Sequence, residues 1–325
     1  MTQPAAQLFT GDAKSLAKII PAGSLDAIVT SPPYWGLRKY GGEAGMIGLE
    51  PLFVDYVAHL VALFRELRRA LTSAGSLWLN LGDLYSGSGG MRHAPEPGDR
   101  RRVKTGSERV ESRGSVNLPP GCLVGLPWRV AFALVDDGWI LRQSIVWAKP
   151  NPMPESVRNR CTRAHEFLFH FVKAPGYYWN HAAAQEPATC RRKPGRKIRD
   201  TRETHGTGGG NAGINHLMAR YHIEGQPATR NPRDVWILPQ TPYKGGHFAT
   251  YPPDLVRPCI RATVPPEGLV LDPFAGAGTT LVVALEEGRH SIGFEINPEY
   301  IKIAAERIEK RRADLAHSSA AIGEV

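Results

Sequence analysis

Apolar runs of strand length alternate with longer stretches whose apolar residues recur every three or four positions. This alternation narrows the fold more than any other feature of the chain. Leu25-Asp26-Ala27-Ile28-Val29 reads as a buried strand ending at Thr30, preceded by a loop and a short helix over Ala13 to Ile20. Phe53, Tyr56, Val57, Leu60, Val61, Phe64, Leu67 and Leu71 then share one helical face, and the next strand, Ser76 to Leu81, follows a break at Ser73-Ala74-Gly75. The last third repeats the pattern: a helix from Pro253 to Ala262, a strand Leu269-Val270-Leu271, a helix from Thr279 to Glu287 and a strand from His290 to Phe294. A closing helix runs from Pro298 to about Arg312. Such repeats predict a parallel, Rossmann-like α/β sheet.

Between these blocks lie a helix over Leu126 to Val135 and two strands, Trp139 to Trp147 and His165 to Val172, which can pair antiparallel. Two polar segments interrupt them. Residues 86–120 lose their large apolar residues and carry Arg100, Arg101 and Arg102, the composition of a mobile loop. Residues 181–235 are polar and basic, with Arg191, Arg192, Lys193, Arg196 and Lys197 close together. The expected organisation is therefore 1–180, an insert over 181–235, a second α/β half over 236–312, and a flexible tail over 313–325. The basic runs are either solvated faces or phosphate contacts. A net charge of +9 favours a polyanionic partner.

Cys122, Cys161, Cys190 and Cys259 are scattered, and neither they nor the eleven histidines show zinc-ligand spacing, so no metal is expected. Cys259 shares a helix with Leu255, Val256 and Ile260 and reads as a packing residue, not a nucleophile. No apolar run approaches the length of about 18 residues that a membrane span needs, and Met1 to Thr10 lacks the pattern of a signal peptide. The expectation is a reduced, intracellular, cytoplasmic protein.

Asp272-Pro273-Phe274-Ala275-Gly276-Ala277-Gly278-Thr279-Thr280 places small residues where a strand turns into a helix, so a ligand can approach the main chain. Glu295, at the end of the following strand, can accept bonds from ribose hydroxyls. A third glycine is missing, since Leu281 stands where a dinucleotide site has one, and no Gly-Lys-Ser/Thr follows to hold a phosphate. The D-P-F-x-G-x-G-T-T string resembles the S-adenosylmethionine (AdoMet) motif of amino-methylating DNA methyltransferases. That resemblance implies AdoMet as cofactor.

Ser31-Pro32-Pro33-Tyr34 directly follows a buried strand, at the carboxyl end of the sheet. Two prolines fix φ and remove two N–H donors, which predicts a stiff loop of free carbonyl acceptors. The loop resembles the (D/N/S)-P-P-(Y/F/W) motif of the same family. The order of catalytic loop, basic region and cofactor loop resembles its circularly permuted beta-type members. The resemblance implies that the Ser31 hydroxyl and the Pro32 carbonyl hold the amino hydrogens of a flipped base while Tyr34 stacks on it.

It further implies that Asp12 contacts the adenine of AdoMet. His247 and Tyr251 lie near its methionine end, and Trp147, Lys149 and Asn151, with Glu166-Phe167, form the far wall of the base pocket. Ser31 in place of Asp or Asn resembles the cytosine-N4 members, with adenine-N6 as the alternative. A non-catalytic DNA-binding relative and a methylase of RNA or a protein amide are the other readings, and the intact loops count against the first. Double-stranded DNA is the implied partner; a cognate restriction endonuclease and a homodimer are further partners the family allows.

Overall fold

A strand buried along most of its length, as Leu25–Thr30 is, must be covered on both faces. The computed structural model, which describes residues 4–36, 46–86, 118–187, 229–240 and 251–322, covers it with helices on either side. The chain divides into two compact units: Met1–Asn180 with Asp234–Val325, and His181–Arg233.

In chain order the strands are β1 (Ala6–Thr10), β2 (Leu25–Thr30), β3 (Leu71–Leu81), β4 (Ile140–Ala148), β5 (His165–Val172), β6 (Glu186–Pro187), β7 (Thr229–Arg230), β8 (Val235–Ile237), β9 (Leu269–Asp272) and β10 (His290–Glu295). The helices are α1 (Ala13–Ala17), α2 (Phe53–Ala70), α3 (Leu126–Asp136), α4 (His181–Ala184), α5 (Pro253–Thr263), α6 (Thr279–Glu286) and α7 (Pro298–Ile322). In the larger unit one sheet runs β1-β10-β9-β2-β3-β5-β4-β8. Among its described strands β5 alone is antiparallel to its neighbours. The smaller unit holds α4 and an antiparallel pair of β6 with β7.

Alternation along the central strands feeds two cores. Ile28, Leu77, Leu79 and Leu271 pack with Tyr56, Leu60 and Phe64 of α2 and Val130 and Leu134 of α3. Ala27, Val29, Trp78 and Val270 pack with Leu255, Val256 and Ile260 of α5 and Val283 of α6. Cys259 is fully buried in this second core with its thiol 3.2 Å from the Leu255 carbonyl, and burial pushes its pKa up. It is a packing residue, as its helical neighbours implied.

From β2 the chain goes on to β3 on one side, and from β9 to β10 on the other. The carboxyl ends of β2 and β9 therefore flank the crevice where the connections diverge, the usual ligand position in such sheets.

Four sequence expectations change. Ser73-Ala74-Gly75 is no loop: β3 passes through it, and the break survives as a slip in register, Leu25 opposite Leu71 but Ala27 opposite Ser76. β1, expected as loop, pairs along its whole length with β10. β8 was hidden by the polar insert beside it and adds an edge strand to β4. The tail over 313–325 is not flexible throughout, because α7 continues to Ile322. Ile308 and Leu315, two turns apart, keep its apolar stripe on α6, and Arg312 donates to the Ala6 carbonyl at 2.7 Å. No described helix is long and apolar enough to cross a membrane.

His170 of β5 is buried, stacked on Trp78 with ring centroids 4.0 Å apart, and burial, then the Arg142 charge, lowers its pKa to about 3. The unfolded chain takes up this proton near pH 6.5 while the folded one does not, so stability falls as pH drops through that window. The expected loss is about 2 kcal/mol by pH 5. Denaturant titrations from pH 7 to 5 should show a shallower pH slope for His170→Phe, which retains the stack.

Candidate active site

β2 ends at Thr30 and β9 at Asp272, side by side in the ladder. The Thr30 hydroxyl donates to Asp272 Oδ1 at 2.7 Å, joining residues that lie 242 positions apart. Asp272 is 1% exposed and accepts three further bonds: from the Thr280 hydroxyl at 2.7 Å, the Tyr251 hydroxyl at 2.9 Å and the Phe274 N–H at 3.0 Å. Tyr251 and Thr280 also touch each other through their hydroxyls. Burial raises the Asp272 pKa and the four donors pull it back. Burial, then Asp272, raises that of Tyr251. Asp272, Tyr251 and Thr280, expected as cofactor contacts, thus form an internal network that fastens one loop to the other.

Beyond Asp272 the chain turns through Gly276 at φ 51° and Gly278 at φ 75°, a region open to glycine. A Cβ on Gly278 would stand 3.0 Å from that of Ala304, so α7 also needs the glycine there. Pro273 is buried, Phe274 packs on the first core, the Ala275 N–H donates to the Phe294 carbonyl, and Thr279 opens α6.

Glu295 closes the turn from β10. Its carboxylate accepts the N–H groups of Gly276 and Asn297, both at 2.8 Å, and burial raises its pKa. The Glu295 carbonyl accepts from Gly11 N–H at 2.9 Å. Next in sequence, Asp12 caps α1 through the Ser15 N–H at 3.2 Å. Two carboxylates, each with lone pairs left over, therefore stand at adjacent strand ends beside a turn of small residues. Such a set fits AdoMet, whose ribose hydroxyls and adenine amine need acceptors.

Ser31-Pro32-Pro33-Tyr34 leaves β2 at the same edge. Here the expectation of free carbonyls needs correcting, since Pro33's accepts the Tyr56 hydroxyl at 3.0 Å. Tyr34 is held by its polar end: its hydroxyl donates to Glu166 Oε2 at 2.7 Å and lies 3.3 Å from Asn80 Oδ1. Glu166 Oε1 pairs with the Lys149 ammonium, which sits 4.2 Å from the centre of the Trp147 ring. Burial, then Glu166, raises the Tyr34 pKa, so the phenol is a donor. Gly82 is required here because a Cβ would approach Tyr34 Cε2 to 2.7 Å.

Sequence reasoning missed Asn80 and Gly82 as supports of Tyr34, and it placed Glu166 in the wall without giving it Tyr34 as partner. Of the three wall residues, Lys149 joins this network. Trp147 donates to the Leu238 carbonyl at 2.9 Å, and Asn151 exchanges two bonds with the Gln240 main chain, at 3.1 and 2.9 Å. His247, Arg100, Arg101, Arg102, Arg191, Arg192, Lys193, Arg196 and Lys197 lie outside the described residues. No group of His, Cys, Asp and Glu suited to a metal occurs among the described residues.

A mixed sheet with a glycine turn ending one central strand and a Pro-Pro loop ending its neighbour defines the AdoMet-dependent methyltransferase fold. The family of N6/N4 methyltransferases, described as DNA methylase, matches residues 25–306, and the chain belongs to it. The Type II methyltransferase M.XycI of Xanthomonas campestris pv. cyanopsidis is 44% identical over 97% of this chain and 91% of its own. The PvuII DNA methyltransferase (cytosine-N4-specific) shares the fold with a TM-score of 0.61 at 20% identity, over 96% of this chain and 92% of that one. So does TTHA0409, a DNA modification methylase of Thermus thermophilus solved with AdoMet, with a TM-score of 0.55 at 23% identity over 94% of each chain. The chain is a DNA methyltransferase of the N4/N6 class, and AdoMet is its methyl donor.

Proposed function

We propose that the chain methylates the exocyclic N4 of cytosine in double-stranded DNA, on a base flipped out of the duplex. Ser31 at the head of the Pro-Pro loop is the observation that carries this reading, with the cytosine-N4-specific PvuII enzyme among the proteins of the same fold. An amino nitrogen conjugated to the ring is a weak nucleophile, and acceptors on its hydrogens return lone-pair density to it. The Ser31 hydroxyl and Pro32 carbonyl are those acceptors, and Tyr34 is the stacking platform, its ring plane fixed by Glu166, Asn80 and Gly82. Bound AdoMet supplies an electrophilic methyl group. Gly276, Gly278, Phe274, Thr279, Asp12 and Glu295 line its place, with His247 and Tyr251 towards its methionine end. The protein's part in the rate is position and fixed polarity.

The insert over 181–235 reads the sequence context, and Arg100–Arg102 and Arg191–Lys197 contact phosphates. The likeness to M.XycI supports a role in restriction and modification, with a cognate endonuclease as partner and a homodimer as a further assembly to test.

The test is incubation with AdoMet and mixed-sequence duplex DNA, digestion to nucleosides and mass spectrometry, with modification-sensitive sequencing of the same product. N4-methylcytosine in a fixed context is the expected result. N6-methyladenine would overturn the choice of base and leave the class of reaction standing.

A further inference from the structure

Met153 is 76% exposed, the most exposed of the large apolar side chains among the described residues. It lies in the connection from β4 to β5, within Pro152-Met153-Pro154. Because β4 runs parallel to β3 and β2 through the antiparallel β5, this connection leaves the sheet at the edge that carries Ser31 and Asp272. An exposed methionine gains nothing by facing water, and two flanking prolines limit its retreat.

The surrounding loop is anchored on both sides of this tip. On one side Asn151 exchanges two hydrogen bonds with the Gln240 main chain. On the other, Glu155 receives Arg160 at 2.6 Å and Arg163 at 3.1 Å. The Arg160 guanidinium lies 4.0 Å from the centre of the Tyr85 ring, Arg163 donates to the Asp83 carbonyl, and the Lys149 N–H closes the neck on the Ala164 carbonyl at 2.7 Å. From Lys149 to Arg163 the loop carries Lys149, Arg158, Arg160 and Arg163 against the single acid Glu155. A rigid tip with one apolar side chain in a basic surround is complementary to a duplex, whose backbone is anionic and whose interior is a stack of apolar faces.

We infer that Met153 is a wedge that enters the base stack of duplex DNA and fills the space left by the flipped base. This rests on the base-flipping reading above. Methionine is among the side chains that proteins insert between base steps, and unstacking must be offset by new contact in the gap. Lys149 joins the Tyr34 pocket at one end of the loop and Met153 projects four residues on, so one rigid piece serves both the extruded base and the hole it leaves.

The test compares Met153→Ala and Met153→Leu with the parent protein on a duplex carrying the methylated sequence mapped above. A second duplex places a non-complementary base opposite the target. On the matched duplex Met153→Ala should lower kcat/KM about 10- to 50-fold, and on the mismatched one, where pairing no longer holds the base in, it should stay within about three-fold. Met153→Leu should remain near the parent on both. Parent-like activity of Met153→Ala on the matched duplex, or an equal loss on the two duplexes, overturns the wedge. Thermal melts, expected to be unchanged for so exposed a residue, separate either outcome from misfolding. Methylation of the matched duplex by the parent protein stands whatever the variants do, so wedge and transfer reaction fail separately.

Discussion

Ser31→Ala should lower kcat by about 10²- to 10³-fold while AdoMet affinity stays within about two-fold of the parent's, the range seen when one fixed polar contact to a reacting group is removed. The two quantities separate because of where the loop sits. Ser31 follows the last residue of β2, whereas the glycine turn follows β9, and the bond across the crevice is made by Thr30, not Ser31. Removing the Ser31 hydroxyl takes away an acceptor for the amino hydrogen and leaves Asp272 and Glu295 with all their donors. Single-turnover assays with labelled AdoMet give the rate, and calorimetric titration without DNA gives the affinity. Equal loss of both would move Ser31 from the base pocket to the cofactor side.

Asp272→Ala should damage everything together. Three hydroxyls and one N–H lose their common acceptor in a site with almost no access to water. An expected cost of about 3–5 kcal/mol follows from stranding buried groups of this kind. For a chain of this size that lowers Tm by roughly 10 °C. AdoMet binding should fall with it, because Phe274 and Thr280 are positioned by the same carboxylate. Asp272→Asn should be milder: Oδ1 still accepts from Thr30 and Phe274, and the Thr280 and Tyr251 hydroxyls can turn to accept from the new amide. Scanning calorimetry with and without AdoMet tests the pair, and an alanine variant with the parent's Tm and affinity would remove Asp272 from the centre of the site.

What could be read from the sequence and what could not divide along physical lines. β2, β5, α2 and α5 declared themselves because a strand buried on both faces and an amphipathic helix each leave a local periodicity. β1 and β8 left none: they are short, they lie at opposite edges of the sheet, and the first exists through pairing with β10, nearly 300 residues further along the chain. The extension of α7 was obscured because a polar run continues the helix while only Leu315 renews its contact with the core.

In the site, the loops were visible as residue strings, but the division of labour within them was not. Nothing in Asp272 or Tyr251 as letters says that they bond to each other, or that Thr30 completes the set. The same holds for Tyr34 and Glu166, 132 positions apart, whose bond is visible only once β3, β4 and β5 lie side by side. A resemblance can carry a role to a position, while the partner that makes the role work comes from the fold.

The position of β9 also bears on synthesis. It slots between β2 and β10, and β1 finds its strand partner in β10. Ribosomes deliver the Ser-Pro-Pro-Tyr loop early, but Thr30 meets Asp272 only after some 240 further residues have been made. Contacts of such span close slowly and late. A half-made chain therefore carries the loop without the partner that fastens it, and competence to modify DNA arrives in one step, close to the completion of the sheet.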